Sequence, residues 1–389
     1  MSRLPPHLTV PASASSQRQQ FAAAYSVLEQ AISEQAFPGA AFSVFARNKV
    51  LALDSIGSFT YDRPAEAVTP STVYDLASLT KVIATTAMAM LLYQRGELSL
   101  DQSLVQLLPA FAQNDAAGGP RYQVTMRMLL AHASGLPGYD RLFAHAEDSQ
   151  ALLDACLRLP LEALPGSRSE YSDPGFILLG RALEVIAGEG LEAFCSREVF
   201  TPLGMTSTCF RPPASWRSSI PPSEEDSTFR HRIIQGEVQD ENCFVLGGAS
   251  GHAGLFSNAL DPLRYAQCLF GQDGSQGRPP EGQQLFTPEA IQLFTTRTAL
   301  PPGSSRALGW DTPSPPSSSG KYFNCHSAGH LGYSGTSLWI DFERRLAIVL
   351  LTNRTWPDRQ SQAVRAVRPA FHDAVMEALG EVRQETRGK

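Results

Sequence analysis

The fold is decided by one stretch of the chain, Asp75–Leu92, which reads DLASLTKVIATTAMAMLL. After its polar start the stretch is apolar apart from Lys81, and such a run predicts a helix that is buried on most sides. Ser78 and Lys81 stand at i and i+3, so their side chains meet on one face of that helix. Burial disfavours a charged lysine, and we therefore expect Lys81 to be a neutral amine that accepts the proton of Ser78.

A structural alternative fits the same stretch. Ser-x-x-Lys is a short pattern that also occurs by chance. The same sequence fits a core helix without a catalytic role, in which Lys81 extends its ammonium to water. In favour of chemistry, Ser78 lies near the predicted helix start, where free N–H groups and the helix dipole stabilise negative charge. Only the rest of the chain distinguishes a nucleophile from a core helix.

The composition is that of a globular protein. The 389 residues are 43% hydrophobic and 18% charged, which is enough to build two lobes. The net charge is −6, so the chain has no excess of basic residues that could contact phosphates, and we expect no nucleic-acid partner. The six cysteines are scattered without a Cys-x-x-Cys pair, which favours reduced thiols in a reducing compartment. No apolar run has transmembrane length and no signal peptide is visible, so we expect a cytoplasmic protein with no membrane partner.

Strand-like runs lie towards both ends of the chain, and helical patterns lie between them. Two pairs of short apolar runs are each joined by a charged turn, which predicts two β-hairpins. The first pair is residues 40–45 and 50–53, and the second pair is residues 337–340 and 346–351. We predict an α+β fold: an antiparallel sheet from the N- and C-terminal thirds, flanked by the terminal helices in an α/β sandwich lobe, with an all-α lobe inserted.

This pattern also predicts domain boundaries. Residues 1–16 are expected to be a disordered arm, rich in Ser, Pro and Ala. Residues 17–75 and 300–389 form the discontinuous sheet lobe, and residues 76–299 form the mainly helical lobe. Ser78 falls at the junction, and chemistry is commonly located between lobes.

Two further clusters contain residues suited to catalysis. Tyr171 precedes a predicted helix in Tyr171-Ser172-Asp173, and a phenol beside an amine can relay a proton; an aromatic anchor for the helix start is the alternative. The segment Ala328–Thr336 is rich in glycine and leads into a strand, so a substrate can approach its backbone closely. The N–H of Tyr333 can join that of Ser78 as an oxyanion hole, unless the segment is a plain loop.

Three segments of the chain resemble, in the same order, the three motifs of the serine β-lactamase-like hydrolases. The nucleophile motif corresponds to Ser78–Lys81, the Tyr-x-Asn motif to Tyr171–Asp173, and the Lys-Thr-Gly motif to His330–Gly332. This family includes class C β-lactamases, low-molecular-mass penicillin-binding proteins that act as D-Ala-D-Ala peptidases, and related carboxylesterases. The resemblance runs from about Phe21 to the C-terminus. It implies a β-lactamase/transpeptidase-like fold and acyl transfer without a cofactor.

The resemblance also implies roles. Ser78 attacks a carbonyl, Lys81 and Tyr171 exchange the proton, and the backbone N–H groups of Ser78 and Tyr333 hold the oxyanion. His330 supplies polarity or partial charge beside the substrate. The substrate-binding candidates are His330, Leu331, Gly332, Asp173 and His252. A loop-packing role is the alternative for His252.

Two departures from the family motifs bear on the substrate. Leu331 replaces a threonine that binds the substrate carboxylate in β-lactamases, and Asp173 replaces an amide donor. We therefore expect a small carboxylic ester or D-amino-acid-type amide as substrate, a preference for neutral esters, and weak β-lactamase activity at most. The alternative from another class is a catalytically silent penicillin-binding-like sensor or ligand-binding module. No prediction of oligomeric state follows.

A metal site is the last possibility. His326 and His330 have i, i+4 spacing beside Cys325. They lie in a glycine-rich segment rather than on a helix, so the spacing favours chance, and no metal is expected.

Overall fold

The computed structural model of the protein describes residues 14–113, 115–270 and 284–380. Its helices are α1 (Ala14–Gln20), α2 (Ala22–Ser33), α3 (Thr86–Gln94), α4 (Leu104–Leu107), α5 (Met126–Leu130), α6 (Ser149–Arg158), α7 (Asp173–Ala187), α8 (Leu191–Cys195), α9 (Glu241–Val245), α10 (Asp261–Cys268), α11 (Pro288–Thr295) and α12 (Val364–Ala378). Its strands are β1 (Gly39–Ala46), β2 (Lys49–Gly57), β3 (Tyr74–Asp75), β4 (Cys209–Phe210), β5 (Glu224–Asp226), β6 (Arg232–Ile234), β7 (Leu255–Ser257), β8 (Ser327–Leu331), β9 (Ser337–Asp341) and β10 (Leu346–Thr352).

The main sheet has five strands in the order β2-β1-β10-β9-β8, and every neighbouring pair is antiparallel. The two predicted hairpins are β1–β2 and β9–β10. The strand pair β1–β10 joins the two ends of the chain, with Ala40 opposite Thr352 and Phe45 opposite Ala347. The α+β fold with an antiparallel sheet is therefore confirmed.

The two faces of the sheet enter different cores. Strand side chains point alternately to opposite faces. Phe42 and Ile348 pack in a core with α2 and α12, whereas Phe45 and Val349 belong to the core that contains α3 and α7. Strands β1 and β10 are therefore apolar on both faces, which explains their continuous hydrophobic sequences.

The helical stretch Asp75–Leu92 is buried as predicted, and every residue from 79 to 92 has a buried side chain. It is not a uniform α-helix. A 3₁₀ turn at Ala77–Leu79 leads into a π-helical turn at Lys81–Thr85, and α3 follows. Single π-helical turns are common at functional sites, and the hydrophobic pattern did not predict this one.

Other predictions concern the ends of the chain and the middle lobe. Residues 1–13 of the predicted arm lie outside the described residues, but α1 begins at Ala14, so residues 14–16 are helical. Short strands also occur in the predicted helical lobe, where β3, β7 and β4 form a small sheet. All six cysteines are free. Among the described helices, none combines the length and apolarity needed to cross a membrane.

Candidate active site

A strained residue places Ser78 at the edge of a large cavity. Ala77 has a φ of +47°, a conformation that costs a non-glycine residue about 1–2 kcal/mol. Its N–H donates to Asp75 Oδ1 at 2.8 Å. Ser78 follows directly and lines a cavity of about 1080 Å3. Strain of this kind is concentrated at functional sites, where the surrounding structure maintains it.

Ser78, Lys81 and Tyr171 form one hydrogen-bonded cluster. Ser78 Oγ accepts from Lys81 Nζ at 2.9 Å and from the Tyr171 hydroxyl at 2.7 Å. The first and second sequence motifs therefore meet in space, although 93 residues separate Ser78 from Tyr171. The predicted contact between Ser78 and Lys81 is present, but Lys81 does not extend to water, because its side chain is fully buried.

The protonation state expected for Lys81 is wrong. Lys81 Nζ donates to Asp173 Oδ1 at 2.7 Å and to the His252 carbonyl oxygen at 2.9 Å, in addition to Ser78. Burial alone would lower the pKa of Lys81, but the charge of Asp173 and its hydrogen bond outweigh burial and raise the pKa above its usual value. Lys81 is therefore an ammonium in the resting protein, and all three of its N–H donors are engaged.

Tyr171 is held in place from behind. The ring of His132 lies against the ring of Tyr171, with 4.7 Å between their centroids, and His132 Nδ1 accepts from the N–H of Ser172 at 3.0 Å. Ser172 Oγ also caps α7 by accepting from Gly175 N at 3.0 Å. Burial raises the pKa of Tyr171 and the nearby Lys81 opposes this, with a net increase, so the resting phenol is neutral.

His330 lies on β8 at the edge of the sheet and lines the cavity, with its ring centroid 5.9 Å from that of Tyr171. Its Nδ1 donates to the Leu331 carbonyl oxygen at 2.8 Å. Burial, followed by the charge of Lys81, lowers the pKa of His330 well below its usual value. Of the two roles expected for His330, polarity and partial charge, the lowered pKa favours polarity, because a neutral imidazole still presents a polar ring.

The turn after β8 lies directly beside the start of the Ser78 helix. Ser334 Oγ donates to the Asp75 carbonyl at 2.7 Å, and a Cβ on Gly332 would lie 2.5 Å from the Leu76 carbonyl oxygen. Only glycine permits this approach. Leu331, Gly332 and Tyr333 all line the cavity. Within the described ranges, the N–H groups of Ser78 and Tyr333 make no hydrogen bond, so both are free to donate.

His252 and Asp173 both line the cavity that contains Ser78, and both also make contacts within the protein. The buried ring of His252 lies between Ser250 Oγ, at 3.0 Å from Nδ1, and Asp240 Oδ1, at 2.8 Å from Nε2. Both ring nitrogens are thus occupied, and the residue serves Lys81 through its carbonyl. Asp173 Oδ1 accepts from Lys81 Nζ, and the partly exposed side chain of Asp173 lines the cavity.

The possible metal cluster does not form. Cys325 is exposed and His326 lies 3.6 Å from Glu343, whereas His330 is buried beside Tyr171. In residues 14–113, 115–270 and 284–380, no group of three or more His, Cys, Asp or Glu side chains is arranged to hold a metal ion.

Sequence reasoning missed the arginines of the cavity wall. Arg354, Arg365 and Arg368 all line the cavity that contains Ser78. A partial signal was present, because Arg365 and Arg368 are i and i+3 on a predicted helix and therefore share a face. Nothing in the sequence showed that this face points into the cavity.

The α+β fold and the Ser-Lys-Tyr cluster define the class of protein, and comparison with known proteins agrees. The family model for β-lactamases matches residues 24–370, so the chain belongs to the β-lactamase family of serine hydrolases. A putative D-alanyl-D-alanine carboxypeptidase of Escherichia coli K12 is 32% identical over 77% of this chain and 72% of its own. An N-acetylmuramyl-L-alanine amidase of Bacillus subtilis 168 is 29% identical over 82% of this chain and 77% of its own.

A solved structure shows the same fold. EstCE1, described as a hydrolase with promiscuous acyltransferase activity, superposes with a TM-score of 0.72 at 22% identity. The match covers 93% of this chain and all of the other. The resemblance inferred from the three motifs is therefore confirmed at the level of family and fold.

Proposed function

We propose that this protein is a serine hydrolase that cleaves a small carboxylic ester or a D-amino-acid-type amide through an acyl-enzyme. One observation carries the proposal. Ser78 Oγ lies within hydrogen-bonding distance of both Lys81 Nζ and the Tyr171 hydroxyl, at the wall of an open cavity. A hydroxyl between an ammonium and a phenol is arranged for nucleophilic attack with proton relay.

The base is the Lys81–Tyr171 pair after it has lost one proton. Because Asp173 keeps Lys81 charged, the proton is lost from Tyr171, and the neighbouring ammonium stabilises the phenolate. The phenolate takes the proton of Ser78 as Oγ forms its bond to the substrate carbonyl carbon. When the tetrahedral intermediate collapses, the bond to the leaving group breaks and Tyr171 gives that proton to the leaving oxygen or nitrogen.

Deacylation repeats these steps with water. Tyr171 takes a proton from the water that attacks the acyl carbon, and returns it to Ser78 Oγ when the ester bond breaks. In both halves the negative carbonyl oxygen is held by the free N–H groups of Ser78 and Tyr333. The turn that carries Tyr333 is bonded to the Ser78 helix start, which keeps the two donors together.

The substrate class follows from the relatives and from Asp173. A relative named as a putative D-alanyl-D-alanine carboxypeptidase supports a D-amino-acid amide, and a fold shared with a hydrolase that has promiscuous acyltransferase activity is compatible with an ester. Asp173 is committed to Lys81 and cannot donate to a substrate carbonyl as an amide does. We therefore propose weak β-lactamase activity at most.

A silent binding module is the second candidate. The observation that favours it is the fully paired ammonium of Lys81, which cannot accept a proton in the resting state. Such a module would be acylated slowly or not at all, and would not release the acyl group.

Acylation and release distinguish the two. One sample of the protein is incubated with a fluorophosphonate or penicillin probe, and a separate, unlabelled sample is assayed with para-nitrophenyl acetate, nitrocefin and a D-Ala-D-Ala peptide. A hydrolase is labelled on Ser78 and turns over the ester or the peptide. The proposal fails if Ser78 is not labelled, or if no acyl group is released. Ser218→Ala, at an exposed serine, is the matched control for Ser78→Ala.

A further inference from the structure

Asp75 is a buried carboxylate beside the nucleophile, and the proposed reaction assigns it no step. The residue is 4% exposed and lines the cavity that contains Ser78. Within residues 14–113, 115–270 and 284–380, no lysine, arginine or histidine nitrogen lies within 4.0 Å of its carboxylate oxygens. Burial raises the pKa of Asp75 to about 6, although two backbone N–H groups oppose this. A buried carboxylate without a paired cation is costly, so its presence here indicates a role in the site.

The first contact of this carboxylate fixes the turn before Ser78. Asp75 Oδ1 accepts from the N–H of Ala77 at 2.8 Å, and Ala77 has a φ of +47°. Alanine disfavours this conformation, because its Cβ comes close to the following carbonyl oxygen. A hydrogen bond to a charged acceptor is strong enough to offset a strain of this size. If Ala77 relaxed to a negative φ, Ser78 would move relative to Lys81 and Tyr171.

The second carboxylate oxygen holds the segment that supports Lys81. Asp75 Oδ2 accepts from the N–H of Gln239 at 2.8 Å. The next residue, Asp240, has its Oδ1 2.8 Å from Nε2 of His252. The carbonyl oxygen of His252 in turn accepts from Lys81 Nζ at 2.9 Å. One carboxylate therefore connects the turn before the nucleophile with the support of its lysine.

The backbone of Asp75 contacts a third part of the site. Its carbonyl oxygen accepts from Ser334 Oγ at 2.7 Å, and Ser334 directly follows Tyr333, whose N–H is a proposed oxyanion donor. Both carboxylate oxygens, in contrast, accept from backbone N–H groups of the protein. These contacts are suited to a residue that positions other groups, rather than to one that reacts with a substrate.

We propose that Asp75 is a positioning residue for the nucleophile: its carboxylate holds Ala77 at a positive φ and so keeps Ser78 Oγ between Lys81 and Tyr171. The inference rests on the proposed function and deepens it, because it names a residue on which the reactivity of Ser78 depends. Glycine adopts a positive φ without strain, so the need for Asp75 should diminish when residue 77 is glycine. If Asp75 only filled space in the core, its removal would have the same effect with either residue at position 77.

The test combines Asp75→Ala and Ala77→Gly in a double-mutant cycle. The wild type, both single variants and the double variant are treated with a fluorophosphonate at about pH 8, where Asp75 is ionised. Labelling of Ser78 gives a maximal rate, kinact, and a half-saturating concentration, KI. Crystal structures of the same proteins give the φ of residue 77. Asp261→Ala is the matched control, because Asp261 is also buried and accepts from a backbone N–H, that of Ser207 at 2.8 Å, but does not line the cavity.

Asp75→Ala should lower kinact by about 10²-fold and change KI by less than about threefold, because a small displacement of a reacting group impairs the chemical step more than binding. Ala77 should then have a negative φ. With glycine at position 77, the same substitution should lower kinact by about tenfold or less, and φ should stay positive. Asp261→Ala should leave kinact unchanged. If Asp75→Ala does not fold, Asp75→Leu replaces it, since leucine has the same branched shape but accepts no hydrogen bond.

An equal loss of kinact with alanine and with glycine at position 77 would overturn the inference. So would an Ala77 that keeps its positive φ after the carboxylate has been removed. If Ser78 is not labelled even in the wild type, the proposed function fails. The φ of residue 77 in the crystals then still decides whether Asp75 holds the turn, because that measurement needs no reactivity.

Discussion

Two cations are held in opposite ways: Lys81 is buried beside Ser78, and Arg365 lines the cavity that Ser78 faces. Lys81 is fully buried, and its three N–H donors are used by Ser78, Asp173 and the His252 carbonyl. Arg365 is exposed and has no partner in the described parts of the chain. A cation whose donors are all engaged can adjust the proton affinity of its neighbours but cannot hold a ligand. A cation without a partner can bind an anion but does not direct a proton.

The largest expected effect tests Ser78, the hydrogen-bond partner of the buried Lys81. Ser78→Ala should lower kcat by at least about 10⁴-fold, because no other group at the site forms the acyl bond. Folding should persist, since the side chain fills little core volume, and the thermal unfolding midpoint checks this. Near wild-type turnover by Ser78→Ala on every substrate would remove the nucleophile assignment.

A smaller loss is expected at the proton relay. Tyr171→Phe keeps the ring against His132 but removes the hydroxyl that lies 2.7 Å from Ser78 Oγ. Loss of a general acid–base should reduce kcat by about 10²–10⁴-fold. Tyr122→Phe, at an exposed tyrosine, is the matched control and should not change kcat. If the two variants behaved alike, Tyr171 would have no part in proton transfer.

Asp173→Asn tests the charge of Lys81 directly. The wild-type rate should rise with pH, because the base forms only when the Lys81–Tyr171 pair loses a proton and both pKa values are raised. Removing the carboxylate removes the main influence that raises the pKa of Lys81, and burial then lowers it. The acidic limb of the kcat/KM profile should move to lower pH, by about one to three units. An unmoved limb, or an equal shift in the control Asp62→Asn, would contradict the charged-lysine interpretation.

The smallest expected effect is a dependence on salt, which should affect the exposed Arg365 more than the buried Lys81. Raising the ionic strength from about 0.01 M to about 1 M shortens the screening length from about 30 Å to about 3 Å. Exposed Arg365 should then attract an anionic substrate less strongly, so KM for mono-para-nitrophenyl glutarate should rise about threefold, while KM for its methyl ester should stay constant. Identical salt dependence for the acid and its ester would show that Arg365 does not act on the charge of the substrate.

Local patterns predicted the framework of the molecule well. The hairpins β1–β2 and β9–β10 follow from short apolar runs around charged turns, and helix α12 from its periodicity. The Ser78–Lys81 contact follows from i, i+3 spacing alone. These features depend on residues close in sequence, where spacing determines geometry.

Some contacts between distant parts of the chain were not predicted. The ion pair between Lys81 and Asp173 spans 92 residues, and without it burial alone indicated a neutral lysine. The orientation of Arg365 depends on how α12 packs against the sheet, and an arginine on a surface helix is normally a solvated residue. The positive φ of Ala77 also has no signature, because alanine is not a residue that favours it.

Because β1 pairs with β10, we expect activity to emerge late in synthesis. A ribosome that has translated as far as Thr295 has produced Ser78, Lys81 and Tyr171, but not β8, with its adjoining turn, or α12 with its arginines. Until β10 emerges, β1 exposes an unpaired edge and two apolar faces, which are prone to aggregation. We therefore expect the unfinished chain to be prone to aggregation, and to become active only after β8, its adjoining turn and β10 have been added to the sheet.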